Sequence, residues 1–344
     1  MRVSGRSPRL MLGAATFALV VSTISPAVSS LHREAKVVDL HSDTLLDVAS
    51  GKRDISRRGT AGHIDLPRLR EGGVDVQVFA AFIHPREAER GFERALELLD
   101  AFDRMVSSHA DVLGRAHTFA DIEQLERSGK IAAVLSIESG DAVQGNPANV
   151  DRLYRRGVRI MSLTWNNSTG LADGALEQRH GGLTPVGRRV LARMAALGII
   201  VDVSHLSAKS FWDVLEATRG PVMATHSNAA GLTPHVRNLT DEQLRALARR
   251  GGVVGVNYYP AFTGGPTLTH VLAHIDYLVK VVGADHVALG SDFDGFAQTV
   301  DGLEDVSRLP NLTAGLLARG YSRDDIRKIL GGNALRVFRA VWRK

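Results

Sequence analysis

The sequence predicts an α/β fold, a closed TIM-like (β/α)8 barrel, on three observations. Its 344 residues, 44% hydrophobic and 23% charged, suit one barrel-sized domain with a large core. Eight short apolar runs alternate with amphipathic stretches, the pattern of consecutive βα units whose strands are buried on both faces. Six of the eight runs lead directly into polar side chains, as strand ends do at the C-terminal rim of such a barrel.

In order, the runs are Val37 to Leu40, Val74 to Phe82, Ile131 to Ile137, Val158 to Leu163, Ile199 to Val203, Val222 to Thr225, Val253 to Tyr258 and Val287 to Gly290. Between them, Pro185 to Leu197 places Val186, Val190, Leu191 and Met194 on one helical face. Thr240, with Gln243 three residues on, opens a second helix that runs to Arg250, in the spacing of a capping box. An open doubly wound sheet would show the same alternation, but the segment after Val38 lacks the glycine-rich phosphate loop of that fold.

The net charge of +5 comes from arginines scattered singly or in pairs through helical stretches, without the long basic run of a nucleic-acid-binding tail. Nucleic acid is therefore not expected as a partner. The chain has no cysteine, which excludes disulfides and thiolate metal sites, so any metal must be held by His, Asp or Glu. At the N-terminus, Arg2, Arg6 and Arg9 precede a charge-free stretch from Leu10 to about Val28, with Ala27 and Ser29 in cleavage-site spacing. Residues 1–30 are thus expected to be an export signal, and 31–344 a single domain that acts in the periplasm, at the cell surface or outside the cell. The alternative is an uncleaved anchor, for which the Ser, Thr, Gly and Pro content is poor. Once the segment is removed, no stable membrane insertion is expected, and no apolar tail of the lipid-anchor kind follows Trp342.

The polar strand ends define a candidate site. His41 and Asp43 are one residue apart after the first run, so an extended backbone puts both on the same side, where they can grip one ion. Glu138 ends the run Ala-Ala-Val-Leu-Ser-Ile-Glu, a poor position for a carboxylate unless a cation or a hydrogen-bond network compensates its desolvation. His205 and His226 directly follow the fifth and sixth runs, and each ring needs a polar partner. Singly, each is the pattern of an ordinary core histidine or capping carboxylate. Jointly, three imidazoles and two carboxylates at four strand ends match the donor set of paired zinc ions with Glu138 between them. Iron, manganese or cobalt suit the same donors. His63, His84, His109, His117, His180, His270, His274 and His286 lie in loops or helices, where structural or solvated roles are expected.

From about Val37 to Phe338 the chain resembles the membrane dipeptidase (renal dipeptidase) family, peptidase family M19, whose barrels are of the metal-dependent hydrolase type. The resemblance rests on Asp39-Leu-His-Ser-Asp-Thr, Ile137-Glu-Ser-Gly, Asp202-Val-Ser-His, Thr225-His-Ser-Asn, Arg237-Asn, Gly290-Ser-Asp-Phe-Asp-Gly, Gly302-Leu-Glu-Asp-Val and Gly332-Asn-Ala-Leu-Arg-Val-Phe, all in the right order. It implies that His41, Asp43 and Glu138 bind one zinc, that Glu138, His205 and His226 bind the other, and that a hydroxide bridges the two. It further implies that Arg237 holds the C-terminal carboxylate of a dipeptide, that Asp292 orients the hydroxide and protonates the leaving amine, and that the chain forms a homodimer. Asp294 is expected to shape a turn and Asn333 to start a helix. The chain departs from the family in one place: Leu163-Thr-Trp165-Asn166 stands where the best-known animal members carry Leu-Thr-His. An indole N–H at Trp165 can donate to a substrate carbonyl but cannot ionise or accept, so the departure bears on rate and specificity. The expected activity is zinc-dependent dipeptide hydrolysis. Other amide, lactone or β-lactam substrates are compatible with the same barrel, and the rival from another class is an exported peptide-binding protein without turnover.

Overall fold

A computed structural model describes residues 24–178 and 181–342. The expected export segment lies outside the described residues up to residue 23. A helix, Pro26–Glu34, takes in its last residues, is capped by Ser25 and buries Val28, Leu31 and His32. Among the described residues no helix is long and apolar enough to cross a membrane.

Nine strands form one all-parallel sheet: β1 (Val37–Asp39), β2 (Val74–Phe82), β3 (Leu113–Arg115), β4 (Ile131–Glu138), β5 (Val158–Ser162), β6 (Ile200–Asp202), β7 (Met223–Ser227), β8 (Val253–Val256) and β9 (Val287–Leu289). Each of the eight apolar runs became a strand. Pairing of β2 with β4 closes the sheet, and eight strands make the ring. The ninth, β3, is an addition that the sequence reading did not foresee. It pairs with Ile131 to Ala133, while β5 takes the same edge of β4 from Leu135 onward. Leu-Gly-Arg is too short and too polar to register as a buried strand.

The two helices argued from spacing form where expected. Pro185–Leu197 begins at an N-cap Thr184 and ends at Gly198 in the left-handed conformation that glycine adopts without steric cost. Asp241–Arg249 begins at Thr240, whose hydroxyl accepts the Gln243 N–H while the Gln243 side chain accepts the Thr240 N–H.

Two apolar clusters follow from the period of two. One contains Val38, Val76, Val134, Ile160, Ile200, Met223, Val253 and Ala288, one residue from each ring strand, and is completed by Val337, Phe338 and Trp342. That membership makes it the barrel interior. The other packs the outward strand residues against the surrounding helices. Since Ala132 and Val134 point inward, alternation carries Ser136 and Glu138 inward as well, and Glu138 arrives at the C-terminal rim inside the ring. Gly255 and Gly290 let the ring draw tight here, because a Cβ on either would lie about 2 Å from the Thr225 carbonyl oxygen.

His274 is structural, as expected. It is fully buried, its Nδ1 accepts the Ala229 N–H at 3.3 Å, and Nε2 pairs with the Thr233 hydroxyl at 3.1 Å. Burial, joined by His270, lowers its pKa to about 4. The unfolded chain takes up this proton as pH falls through about 6.5, whereas the folded chain resists until about 4. Stability is therefore lost across that window, by up to about 3 kcal/mol. In the presence of a chelator, urea midpoints at pH 7 and 4.5 should converge by a large part of this amount in His274→Gln. An unchanged difference would assign the acid sensitivity to other groups.

Candidate metal centre

The strand ends bring together every residue that the sequence put forward as a ligand. Asp39, the last residue of β1, accepts the Ser291 N–H and hydroxyl at 2.7 and 2.6 Å and the Gln77 side chain at 3.0 Å. Beyond it, the Asp292 N–H donates to the His41 carbonyl at 3.2 Å and the Asp43 N–H to the Phe293 carbonyl at 2.9 Å. The ends of β1 and β9 are thereby sewn together, with His41, Asp43 and Asp292 side by side. His205 and Asp292 have φ of 67° and 63°. Left-handed backbone at a residue other than glycine costs on the order of 1–2 kcal/mol, and the chain holds it at two rim turns that carry the chemistry.

Glu138 stands at the centre. Its Oε1 is 2.8 Å from His205 Nε2 and 3.8 Å from His226 Nε2, and its Oε2 is 3.5 Å from His41 Nε2. His41 Nε2 also lies 3.7 Å from Asp43 Oδ2 and 3.8 Å from Asp292 Oδ1. Three groups have ligand atoms within 4.8 Å of one another: His41, Asp43 and Glu138; Glu138, His205 and His226; and His41, His226 and Asp292.

The donor chemistry fits a cation. The Thr225 hydroxyl has one proton and gives it to Asp202 Oδ2 at 2.6 Å, so His226 Nδ1, 2.8 Å away, carries its own proton and donates it to Thr225. His226 Nε2 is then a lone pair, turned into the site and 2.7 Å from His205 Nε2. His41 Nε2 and Asp43 Oδ1 are buried without a hydrogen-bond partner among the described residues. Nitrogen and oxygen acceptors crowd a desolvated spot where a divalent ion is the group that reconciles them.

The electrostatics agree. Burial raises the pKa of Asp43 to about 6, with Glu138 adding to it. Burial, Asp43 and Glu138 push Asp292 up to about 7 against the pull of His41. Burial opposes ionisation of Glu138, but His41 and His205 overcome it and hold its pKa below the usual carboxylate range. Burial works against a charge on His41 too, yet Glu138 and Asp43 raise it well above its ordinary value. Burial and Arg237 lower His205 to about 3.

Above this cluster opens a cavity of about 410 Å³, walled by Leu46, Phe82 and Trp165 and by Tyr259, Phe262 and Phe296. Trp165 lies 5.3 Å from the Phe82 ring, 6.3 Å from His84 and 6.2 Å from His205, and is half-buried. Arg237 follows β7, 4% exposed, with its guanidinium 5.5 Å from the Phe262 ring. It donates to the His226 carbonyl at 3.3 Å, and its Nε has no partner among the described residues. Burial lowers its pKa to about 10, so it remains charged near neutrality.

Asp294 shapes its turn as expected. It accepts from Thr44 at 2.7 Å and from the His63 N–H at 2.6 Å and pairs with Arg53, so its pKa falls to about 2 despite burial, His63 and Arg53 being the cause. Asn333 does not start a helix: the helix runs on from Arg323 through a π turn at Lys328–Gly332 to Val341, and the Asn333 side chain ties it to β9 by donating to the Val287 carbonyl at 2.8 Å. His63 accepts the Asp294 N–H at 2.9 Å, and His180 lies outside the described residues. Sequence reasoning gave no part to Asn257, whose amide donates to Asp292 Oδ2 at 2.8 Å, nor to the aromatic wall of Tyr259, Phe262 and Phe296. An asparagine inside the seventh apolar run, just before Tyr258, was the one available signal.

Comparison with known proteins agrees with this architecture. The family described as membrane dipeptidase (peptidase family M19) matches residues 26–343. The dipeptidase tcpJ of Claviceps purpurea is 35% identical over 297 residues, covering 82% of this chain and 70% of its own. The dipeptidase aclJ of Aspergillus oryzae is 38% identical, covering 80% and 69%. Among solved structures, a metallopeptidase from Rhodobacter sphaeroides liganded with a phosphinate mimic of L-Ala-D-Ala superposes with a TM-score of 0.84 at 28% identity, covering 90% of this chain and 99% of its own. The probable dipeptidase PvdM of Pseudomonas aeruginosa does so at 0.86 and 26%, covering 92% and 98%.

Proposed function

The chain belongs to the membrane dipeptidase family, peptidase family M19, and is a dipeptide-hydrolysing metallo-enzyme; from that premise we propose that it is an exported dipeptidase that works with two zinc ions. The observation that carries this reading is the central carboxylate, one oxygen of which faces His205 and His226 while the other faces His41. His41, Asp43 and Glu138 would hold one ion, and Glu138, His205 and His226 the other. When bound, the pair supplies a hydroxide nucleophile near neutral pH and polarises the scissile carbonyl.

The protein's own groups do the rest. Arg237, buried, charged and without a carboxylate in ion-pair range among the described residues, offers its fork to the substrate's terminal carboxylate. Asp292 Oδ1 faces the cluster while Asn257 holds Oδ2, so Oδ1 is the atom that takes the proton of the attacking water and passes it to the departing amine. Trp165 walls the cavity, and its indole N–H is a donor available to a substrate carbonyl. No side-chain nucleophile is required. Export is inferred from the N-terminal residues, and a homodimer from family likeness alone.

The purified chain should carry two zinc ions, lose dipeptide hydrolysis on exhaustive chelation and regain it with added zinc. Activity that survives complete metal removal would defeat the mechanism. Tight dipeptide binding with no product from the zinc-loaded protein would favour a binding protein instead.

A further inference from the structure

Asn166 stands next to Trp165 on the segment that follows β5, and its Oδ1 lies 2.8 Å from His205 Nδ1. We propose that Asn166 is a positioning residue for the second metal position: its amide oxygen accepts the His205 Nδ1 proton, which leaves His205 Nε2 as the lone pair turned toward Glu138 and His226. The inference rests on the paired-metal reading above.

A neutral imidazole carries one proton and can ligate only through its other nitrogen. For His226 the choice is made by the Asp202 to Thr225 hydroxyl relay. His205 has no such hydroxyl. On its inner side Glu138 Oε1 is 2.8 Å from Nε2, and a carboxylate at that distance would readily accept an Nε2 proton. That proton would occupy the very lone pair a cation needs. The decision therefore falls to the Nδ1 side, where Asn166 is the polar group in contact. An amide oxygen turned to the ring selects the ligating form, and an NH2 turned to it would select the blocked one.

The contact is held by a stiff frame. The Thr164 hydroxyl and the Ala175 N–H both donate to the His205 carbonyl, at 3.1 and 2.8 Å, and the Leu176 N–H donates to the Asn166 carbonyl at 2.9 Å. Gly174 bridges to Leu206, and a Cβ there would sit 2.4 Å from the Trp165 carbonyl oxygen and 2.5 Å from those of Asn166 and Asn167. Glycine is what lets the segment press this close. The backbones of Asn166 and His205 are thus pinned to each other through neighbours, so the amide meets the ring without searching for it.

Two variants test the assignment, with metal content after dialysis, competition against a chromophoric chelator and the visible spectrum of the cobalt-loaded protein as readouts. Asn166→Leu keeps the shape but removes the acceptor, and should weaken one of the two ions by about 10- to 100-fold while leaving the other unchanged. Asn166→Asp keeps an oxygen acceptor and should hold both ions within a few-fold of wild type, with a similar cobalt spectrum. The proposal is overturned if Asn166→Leu binds both ions like wild type, or if Asn166→Asp loses the same ion. Should the leucine variant fail to fold, the aspartate variant decides alone, because an amide that donated to His205 would be broken by it. A wild-type chain that takes up fewer than two ions overturns the paired-metal reading and this inference with it, whereas two ions in wild type and in Asn166→Leu overturn this inference alone.

Discussion

Replacing Glu138 by Gln should reduce dipeptide hydrolysis by at least about 1,000-fold, the scale expected when charge stabilisation at a two-metal site is lost. The loss should not come from unfolding. Glu138 presents one oxygen to His205 and the other to His41, and a carboxamide has a single oxygen and an NH2 that cannot ligate. One side of the bridge is lost whichever way the amide turns. Yet the carboxylate is 4% exposed and ionised only because His41 and His205 outweigh its desolvation. Removing it leaves His41 and His205 without that partner, so the urea midpoint of metal-free Glu138→Gln should fall below that of wild type while the fold is retained. Zinc should raise the midpoint of wild type far more than that of the variant. A variant that retained wild-type turnover with two ions bound would refute the bridging role, and one that unfolded without metal would make Glu138 a structural residue first.

Arg237→Ala should lower kcat/KM for dipeptides by roughly 100- to 1,000-fold, the range for truncating one partner of a buried charge pair. The residue is buried and has an unpartnered Nε among the described residues, a costly condition that an incoming carboxylate relieves. Arg237→Lys should recover only part of the loss, because an ammonium cannot offer two parallel donors. The discriminating substrate is a dipeptide amide, which has no terminal carboxylate. It should be poor with wild type and no poorer with Arg237→Ala. If the amide lost as much rate as the acid, Arg237 would be acting on the metal cluster through the His226 carbonyl that it touches at 3.3 Å, and not on the substrate.

How much of this was legible beforehand depends on whether the cause was local. Val74 to Phe82 was delimited to the residue, since alternating and then continuous apolar residues between Gly72-Gly73 and His84-Pro85 specify a strand by themselves. The capping box at Thr240 and the glycine stop at Gly198 form from neighbours along the chain. The short β3 was missed because its pairing with Ile131 to Ala133 is what makes it a strand.

The same division governs the site. His41, Asp43, Glu138, His205 and His226 stood out in the sequence because each is polar where an apolar strand ends, and a parallel barrel brings all strand ends of one polarity to one rim. Three arrangements existed only after closure: the left-handed turns at His205 and Asp292, the Asn257 amide on Asp292, and the Asn166 oxygen on the His205 ring. The Trp165 departure could be read as a change of residue, but its neighbours Phe82 and His84 come from a different strand end. Residue type and period sufficed to say which side chains meet, because hydrophobic burial acts on the pattern along the chain. Only the folded barrel decided how they meet, because proton placement and ligand orientation depend on contacts between segments that have no relation in sequence.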